Sequence, residues 1–329
     1  MTPTFAIFGA GRIGQIHARN LLAEPDVALR YVVDVDAAAA GRLASTTGAR
    51  VADAATALGD PAVTAILIAS STDTHAGLIE AGARAGKAIF CEKPLDLNVA
   101  RAAASLHTVE EAGVLLALGF NRRYDPAFDR LKREIEAGRI GSVEVLSITS
   151  RDPTAPPPAY VARSGGLFRD MMIHDLDMAR WLLGEEPVTV FARGSALVDP
   201  AIGAAGDIDT AVVILETKGG RLGQITNSRR CVYGYDQRIE VFGSAGLVRA
   251  DNVSATTVET AGAGGFQREP ALPFFLERYA AAYRNELGEF LKALRGKAAR
   301  LASGDDGLRA LALADAAQRS LDSGSPIRL

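Results

Sequence analysis

The chain opens as a series of short apolar runs separated by stretches with helical periodicity. Thr4–Phe8, Leu29–Val33, Ala65–Ala69, Ala88–Cys91 and Val114–Leu118 are apolar at nearly every position. Strands buried on both faces have this texture, because neither face meets water. Between them, about Ile13–Ala23, Ala37–Thr46, Thr74–Ala85 and Val99–Ala112 place apolar residues at helical spacing. Strand and helix in alternation predict a parallel sheet with right-handed crossovers. After Gly119 the pattern changes. A helix over about Pro126–Ala137 leads into a strand, Val143–Ser150, then a Pro-rich loop, Arg151–Arg163, and a helix over about Gly166–Leu183. Val188–Gly194, Thr210–Glu216, Arg221–Asn227, Gln237–Phe242 and Leu247–Ala250 follow as strands, with turns at Gly219-Gly220 and Gly243–Gly246. Helices over about Phe274–Leu294 and Gly304–Leu321 come last. The expected fold class is α/β over residues 1–119, joined to an α+β domain over 120–329 with a largely antiparallel open sheet. Thr210–Leu215 is apolar on both strand faces, so helices should cover one face and a partner subunit the other.

Composition changes this picture little. A length of 329 residues suits two domains. Lys plus Arg is 36 and Asp plus Glu is 39, a formal net charge of −3. That balance gives no electrostatic case for nucleic acid or an anionic membrane surface. No apolar run reaches the roughly 18 residues of a membrane helix. Met1–Phe8 runs straight into a strand-like segment without a basic region or cleavage signal, and the only cysteines, Cys91 and Cys231, have neither metal-type nor disulfide-framework spacing. The expected setting is the reducing cytoplasm.

Gly9-Ala10-Gly11-Arg12-Ile13-Gly14 fits the pattern G-x-G-x-x-G. It follows the first strand and opens a helix, the context that binding a dinucleotide requires. Gly9 permits the tight turn, Gly11 lets a pyrophosphate approach the backbone, and Gly14 lets helix pack on strand. Asp34 ends the second strand twenty residues after Gly14. A carboxylate there accepts hydrogen bonds from the adenosine ribose hydroxyls and repels a 2′-phosphate, which favours NAD over NADP. The competing role for Asp34 is to cap the next helix, which Asp36 could do instead.

Two further clusters carry candidate chemistry. Cys91-Glu92-Lys93-Pro94 follows the fourth strand, where the strand ends of a parallel sheet face a ligand crevice. Lys93 there points at substrate and nicotinamide, or lies as a surface lysine over the sheet rim. In the helix after Gly165-Gly166, Asp170, His174 and Asp177 fall within roughly 60° of one another at about 100° per residue, while Asp175 points away. Such a stripe suits a base, an orienting carboxylate and a polyol-binding carboxylate. It also suits a buried histidine satisfied by its neighbours. A metal is a third possibility, but no second His or Cys lies near enough in sequence to complete a site.

These motifs together resemble the Gfo/Idh/MocA oxidoreductases, and within them the inositol 2-dehydrogenase branch. The resemblance rests on G-A-G-R-I-G, C-E-K-P and G-G-x-x-x-D-x-x-x-H-D-x-D-x-x-R-W. Gly119–Asp125, Ser150–Pro153, Glu216–Gly220 and Tyr233–Asp236 add support for the branch. It implies a Rossmann NAD-binding domain and a sheet domain that mediates oligomerisation, commonly as a homotetramer. It implies cofactor contacts from Gly9, Gly11, Arg12, Ile13, Gly14, Asp34, Ser70, Ser71, Thr72, His75, Glu92, Lys93 and Arg122. Lys93 would contact the reacting hydroxyl, His174 would accept its proton, and Asp170 would be the acidic partner. Arg122, Asp152, Asp177 and Tyr235 would line a pocket for a cyclic polyol, myo-inositol first. No metal is implied. Some members have His and Asn where this chain has Ser150 and Asp152, so another inositol isomer or an aldose is the rival substrate. A non-catalytic NAD-sensing regulator would share the first domain but lack Lys93 or His174.

Overall fold

A computed structural model describes residues 2–329, the side chains of Pro158 and Ala162 apart; Met1, where the expected strand-like start begins, lies outside the described residues. The chain divides into two compact units. The first runs to Tyr124 and includes Ala282–Leu311; the second comprises Asp125–Ala281 and Ala312–Leu329. This differs from the single division at residues 119 and 120. The apolar face of a late helix supplies Leu287, Phe290 and Leu291 to the core built by Phe5, Ile7 and Phe90. Burying such side chains contributes roughly 1.5–3 kcal/mol each, which favours the return of this segment to the first unit.

In the first unit the order is β1 (Thr4–Phe8), α1 (Arg12–Leu22), β2 (Ala28–Val33), α2 (Ala37–Thr47), β3 (Arg50–Val51), α3 (Ala54–Gly59), β4 (Ala65–Ile68), α4 (His75–Arg84), β5 (Ala88–Glu92), α5 (Val99–Ala112) and β6 (Leu116–Gly119). The strands pair in parallel in the order β3-β2-β1-β4-β5-β6. The order reverses between β1 and β4, and ligands bind outside the carboxyl ends of strands at such a point. Phe5, Ile7, Ile66, Leu67, Ile89 and Phe90 are fully buried, as their uninterrupted apolar runs predict.

The second unit continues with α6 (Pro126–Glu136), β7 (Val143–Arg151), α7 (Pro158–Ser164), α8 (Gly166–Asp170), α9 (Ile173–Leu183), β8 (Pro187–Ser195), α10 (Pro200–Ala204), β9 (Thr210–Thr217), β10 (Leu222–Ser228), β11 (Asp236–Gly243) and β12 (Gly246–Ala250). A hairpin, β13 (Glu259–Gly262) with β14 (Gly265–Arg268), and α11 (Phe275–Arg278) follow. The chain closes with α12 (Ala280–Leu294), α13 (Gly304–Ser323) and β15 (Ile327–Arg328). Seven strands form one sheet in the order β12-β11-β7-β10-β9-β8-β15. Only β7 and β10 pair in parallel, so the sheet is largely antiparallel, as expected.

This sheet has one buried face, against which α9 packs through β7 and β10. Along β9, Ala211, Val213 and Leu215 are buried while Val212 and Ile214 are exposed. The register places Leu222 opposite Val145, Val145 opposite Phe242, and Phe242 opposite Leu247. These four side chains are 38–51% exposed and form a continuous apolar row across four strands.

The expected helix over Gly166–Leu183 is two helices. The N–H of Met172 reaches back five residues to the carbonyl of Leu167, opening one wide turn between α8 and α9. Asp170 thus ends one helix and His174 lies on the next, which overturns the single-helix stripe.

Candidate active site

The Gly-rich turn joins β1 to α1. Gly9 has φ 104°, and a Cβ there would lie 2.4 Å from the carbonyl oxygen of Ala69. A Cβ on Gly14 would lie 1.9 Å from the carbonyl oxygen of Gly9. The chain's own packing therefore demands both glycines. Gly11 is different: a Cβ there would meet nothing within 4 Å. Its bare Cα leaves room for an outside group. Gly11 is also the N-cap of α1 and offers no side-chain cap, and the first turn has no acidic residue. The N–H groups of that turn are disposed for an anion, which suits a dinucleotide pyrophosphate.

Asp34 lies beside this turn. Its Oδ2 accepts from the N–H of Ala10 at 2.6 Å and its Oδ1 from the N–H of Asp36 at 2.8 Å. The cap of α2 is Asp36, which accepts from the N–H groups of Ala38 and Ala39. Asp34 is thus not the capping residue. We expect Asp34→Ser to narrow the preference for NAD over NADP by about tenfold or more, equivalent to about 1.4 kcal/mol, in steady-state kinetics with both cofactors. Equal use of NADP by the unaltered enzyme would refute the role given to this carboxylate.

After β4, Ser71 is exposed and Thr72 opens a short turn, while the hydroxyls of Ser70 and Thr74 lie 2.6 Å apart. His75 is buried. Its Nδ1 lies 2.7 Å from the carbonyl of Pro94 and its Nε2 3.2 Å from that of Ser70. Burial lowers its pKa and favours the neutral ring, so the shorter contact marks Nδ1–H as the donor. His75 is a strut between two loops, with both nitrogens against the chain. Arg12 is exposed, Ile13 half-buried and Arg122 buried in the helical turn Asn121–Tyr124 after β6. Lys93 is half-buried and follows β5; its peptide bond to Pro94 is cis. The carboxylate of Glu92 turns inward to Nε2 of His17 at 2.7 Å, so this side chain faces the interior.

In the second unit, Asp170 and His174 are both half-buried. The carboxylate of Asp170 accepts from the hydroxyl of Tyr160 at 2.9 Å and faces the guanidinium of the buried Arg229 at 3.3–3.4 Å. Burial and then the charge of Asp170 push the Tyr160 phenol above its usual pKa, so it remains a donor. Neither Tyr160 nor Arg229 was identified from sequence. Tyr160 lies on α7, a short helix inside the stretch expected to be a Pro-rich loop, and Arg229 follows the end of β10, with no local spacing to link them to Asp170.

Asp175 is fully buried and accepts from Nδ2 of Asn227 at 2.9 Å. Asp177 is buried 3.9 Å from Arg180, whose guanidinium also bonds Glu186. Tyr235 is buried with its ring set edge-on to Phe274 and Tyr279. Asp152 is half-buried and its N–H donates to the carbonyl of Ser228. The Ser150 hydroxyl, buried, donates to Oε1 of Gln237 at 3.0 Å, so the unusual serine is absorbed by an internal bond.

Comparison with known proteins agrees with both halves. The model of the oxidoreductase family with an NAD-binding Rossmann fold matches residues 4–120, and the Gfo/Idh/MocA C-terminal domain model matches residues 128–249. The chain is similar to the inositol 2-dehydrogenase of Rhizobium meliloti, at 52% identity over 98% of this chain and 97% of that protein. It is similar to the myo-inositol 2-dehydrogenase of Thermotoga maritima, at 49% identity over 98% of this chain and 97% of the other. Among solved structures, the scyllo-inositol dehydrogenase of Lactobacillus casei with bound NAD(H) and scyllo-inositol superposes with a TM-score of 0.92. It shows 27% identity and covers 100% of this chain and 99% of that one. With its Gly9–Gly14 turn built to receive a dinucleotide and both family models in place, the chain belongs to the Gfo/Idh/MocA family of NAD-binding oxidoreductases.

Proposed function

We propose that the chain is an NAD-dependent inositol 2-dehydrogenase that oxidises one ring hydroxyl of myo-inositol to give 2-keto-myo-inositol. The observation that carries this reading is full-length similarity, at about half identity, to two proteins named for that activity, with Lys93, Asp170 and His174 all present. NAD, when bound, supplies the hydride acceptor. His174 takes the proton of the reacting hydroxyl. Asp170, held by Tyr160 and Arg229, is the carboxylate that supports the imidazolium so formed. Lys93 donates to the same hydroxyl oxygen and stabilises the negative charge that develops there. The Gly11 face and Asp34 orient the cofactor. Arg122, Asp152, Asp177 and Tyr235 are the proposed polyol contacts. Asp152 is the most open of the four, so it is the strongest candidate for a direct contact.

The enzyme works in the cytoplasm in this reading, in keeping with two unpaired buried thiols, Cys91 and Cys231, and with the finding that no helix among the described residues is long and apolar enough to cross a membrane. It assembles as a homotetramer through the sheet face carrying Val145 and Phe242.

NADH formation across a panel of inositols, open-chain polyols and aldoses tests the substrate. Each buried hydroxyl of a cyclic polyol needs a partner, and an isomer that leaves protein groups unpaired loses about 1–3 kcal/mol per group. We expect myo-inositol to exceed sorbitol and mannitol by roughly 10²-fold or more in kcat/KM. Higher turnover of scyllo-inositol would move the preferred isomer. Turnover of an aldose with every inositol inert would refute the inositol assignment and leave the family intact.

A further inference from the structure

We propose that His17, Glu92 and Glu286 form a buried positioning triad that ties the Gly-rich helix α1 to the strand end carrying Lys93. The proposal rests on Lys93 being the lysine that meets the substrate hydroxyl. All three residues belong to the first unit and all are buried. His17 lies on α1, Glu92 is the last residue of β5, and Glu286 lies on α12. Nε2 of His17 is 2.7 Å from Oε1 of Glu92, and one polar atom from each of the three residues lies within 4.8 Å of the others. The His17 ring is fixed by edge contacts with Phe90 and Tyr283, at centroid distances of 5.2 and 5.7 Å. β6 makes room for the Glu92 carboxylate at Gly119, where a Cβ would come within 2.9 Å of it.

Two carboxylates this close in an apolar interior do not both ionise. Burial, and then the charge of Glu92, hold the Glu286 carboxyl well above the usual carboxylate range. Glu286 is therefore held as the neutral acid beside the hydrogen-bonded pair of His17 and Glu92. A divalent cation would also balance the cluster, since the donor types suit one. The geometry disfavours it. A metal-bound histidine almost always donates its second N–H to a partner, and Nδ1 of His17 has none. The Nε2 that would bind is already hydrogen-bonded to Glu92.

The consequence for Lys93 is mechanical. On one side of it Glu92 is tied to α1, and on the other the Pro94 carbonyl is tied to His75. The same helix α1 presents its N-terminus to the cofactor. A displacement of about 1 Å at a reacting group can cost about 10²-fold in rate, so this tie matters without touching substrate. The ionisable groups facing the triad are Cys91 and Lys93, which flank Glu92 in the chain, His75, which feels its charge, and Tyr283 beside His17. Burial pushes the Cys91 thiol well up, so it carries no charge at neutral pH.

Infrared spectroscopy of the unaltered protein at neutral pH should show the C=O stretch of a protonated buried carboxyl, lost in Glu286→Gln. A carboxyl whose pKa is raised on folding stabilises fully below its ordinary value, near 4.5, and that stability fades as pH rises toward the folded value. Glu286→Gln has no such loss. Its melting temperature relative to the unaltered protein should therefore rise by about 2 °C or more between acid and alkaline pH. His17→Phe should lower kcat by about tenfold or more with NAD affinity changed less than about threefold, and His17→Gln, which keeps an N–H donor, should recover part of the loss. The proposal is overturned by absence of the carboxyl band, by a stoichiometric metal in elemental analysis, or by a His17→Phe enzyme with unchanged kcat. The infrared and melting readouts involve no turnover. An active Lys93→Met variant would thus refute the role of Lys93 and leave the proton arrangement to be judged separately.

Discussion

His174→Ala is expected to lower kcat/KM for inositol by about 10²–10⁴-fold, the scale of losing a positioned acid–base group. Lys93→Met should cost about 10²-fold or more, because it removes the charge that stabilises the developing alkoxide. Asp170→Asn is informative in a different way. Its amide oxygen can still accept from Tyr160, but its NH2 group faces the guanidinium of Arg229, a donor against a donor. The side chain then either loses its partner or turns, and the support of His174 goes with it. NAD binding, followed by fluorescence titration, should survive in the His174 and Asp170 variants, since the Gly-rich turn and Asp34 belong to the other unit. Asp175 does not serve as a silent comparison, because it is buried against Asn227. Asp175→Asn should lower the melting temperature through the loss of a charged hydrogen bond, worth about 1.5–3 kcal/mol, with a smaller effect on kcat than His174→Ala. Near-normal turnover by His174→Ala would remove His174 as the base.

The difference between Asp175 and Asp170 shows where sequence periodicity holds and where it fails. The first unit was legible because its strands are apolar at every position, and because the two glycines that its own packing demands sit at fixed spacing around the one that it does not. β3 was missed because it is two exposed residues long, too short for any period. The hairpin β13–β14 was missed because every residue in it is exposed, leaving no apolar alternation. On α9 the helical period turns Asp175 away from His174 but does not say what lies on that flank. A helical stripe separates core from solvent only on a surface helix. Here Ile173, Asp175–Arg180, Leu182 and Leu183 are all buried, so the flank away from His174 is interior as well. The wide turn at Met172 was invisible because Met171 and Met172 are apolar in either geometry. Partnerships such as Asp170 with Arg229, or Glu92 with His17, join residues 59 and 75 positions apart, and no local pattern encodes them.

Val145→Asp combined with Phe242→Asp is expected to break the proposed tetramer and leave a folded protomer of 34.5 kDa. The two side chains are directly opposed across β7 and β11, in the middle of the row that runs from Leu222 to Leu247. Val212 and Ile214 extend the apolar face onto β9. A lone subunit rarely leaves such a contiguous patch in water, whereas a second copy placing the same face against it would bury both at once. In a two-fold contact each substitution occurs twice, so the double variant buries four carboxylates per interface. At a modest cost of about 1 kcal/mol each after relaxation, the dissociation constant rises by about 10³-fold. The fold should tolerate the change, because both positions are already half-exposed in the single chain and an aspartate there stays hydrated. Light scattering after size-exclusion chromatography measures the mass, and circular dichroism with thermal melting checks that the protomer is intact. An unaltered protein that elutes as a fully active monomer at micromolar concentration would show that this face has another occupant or none.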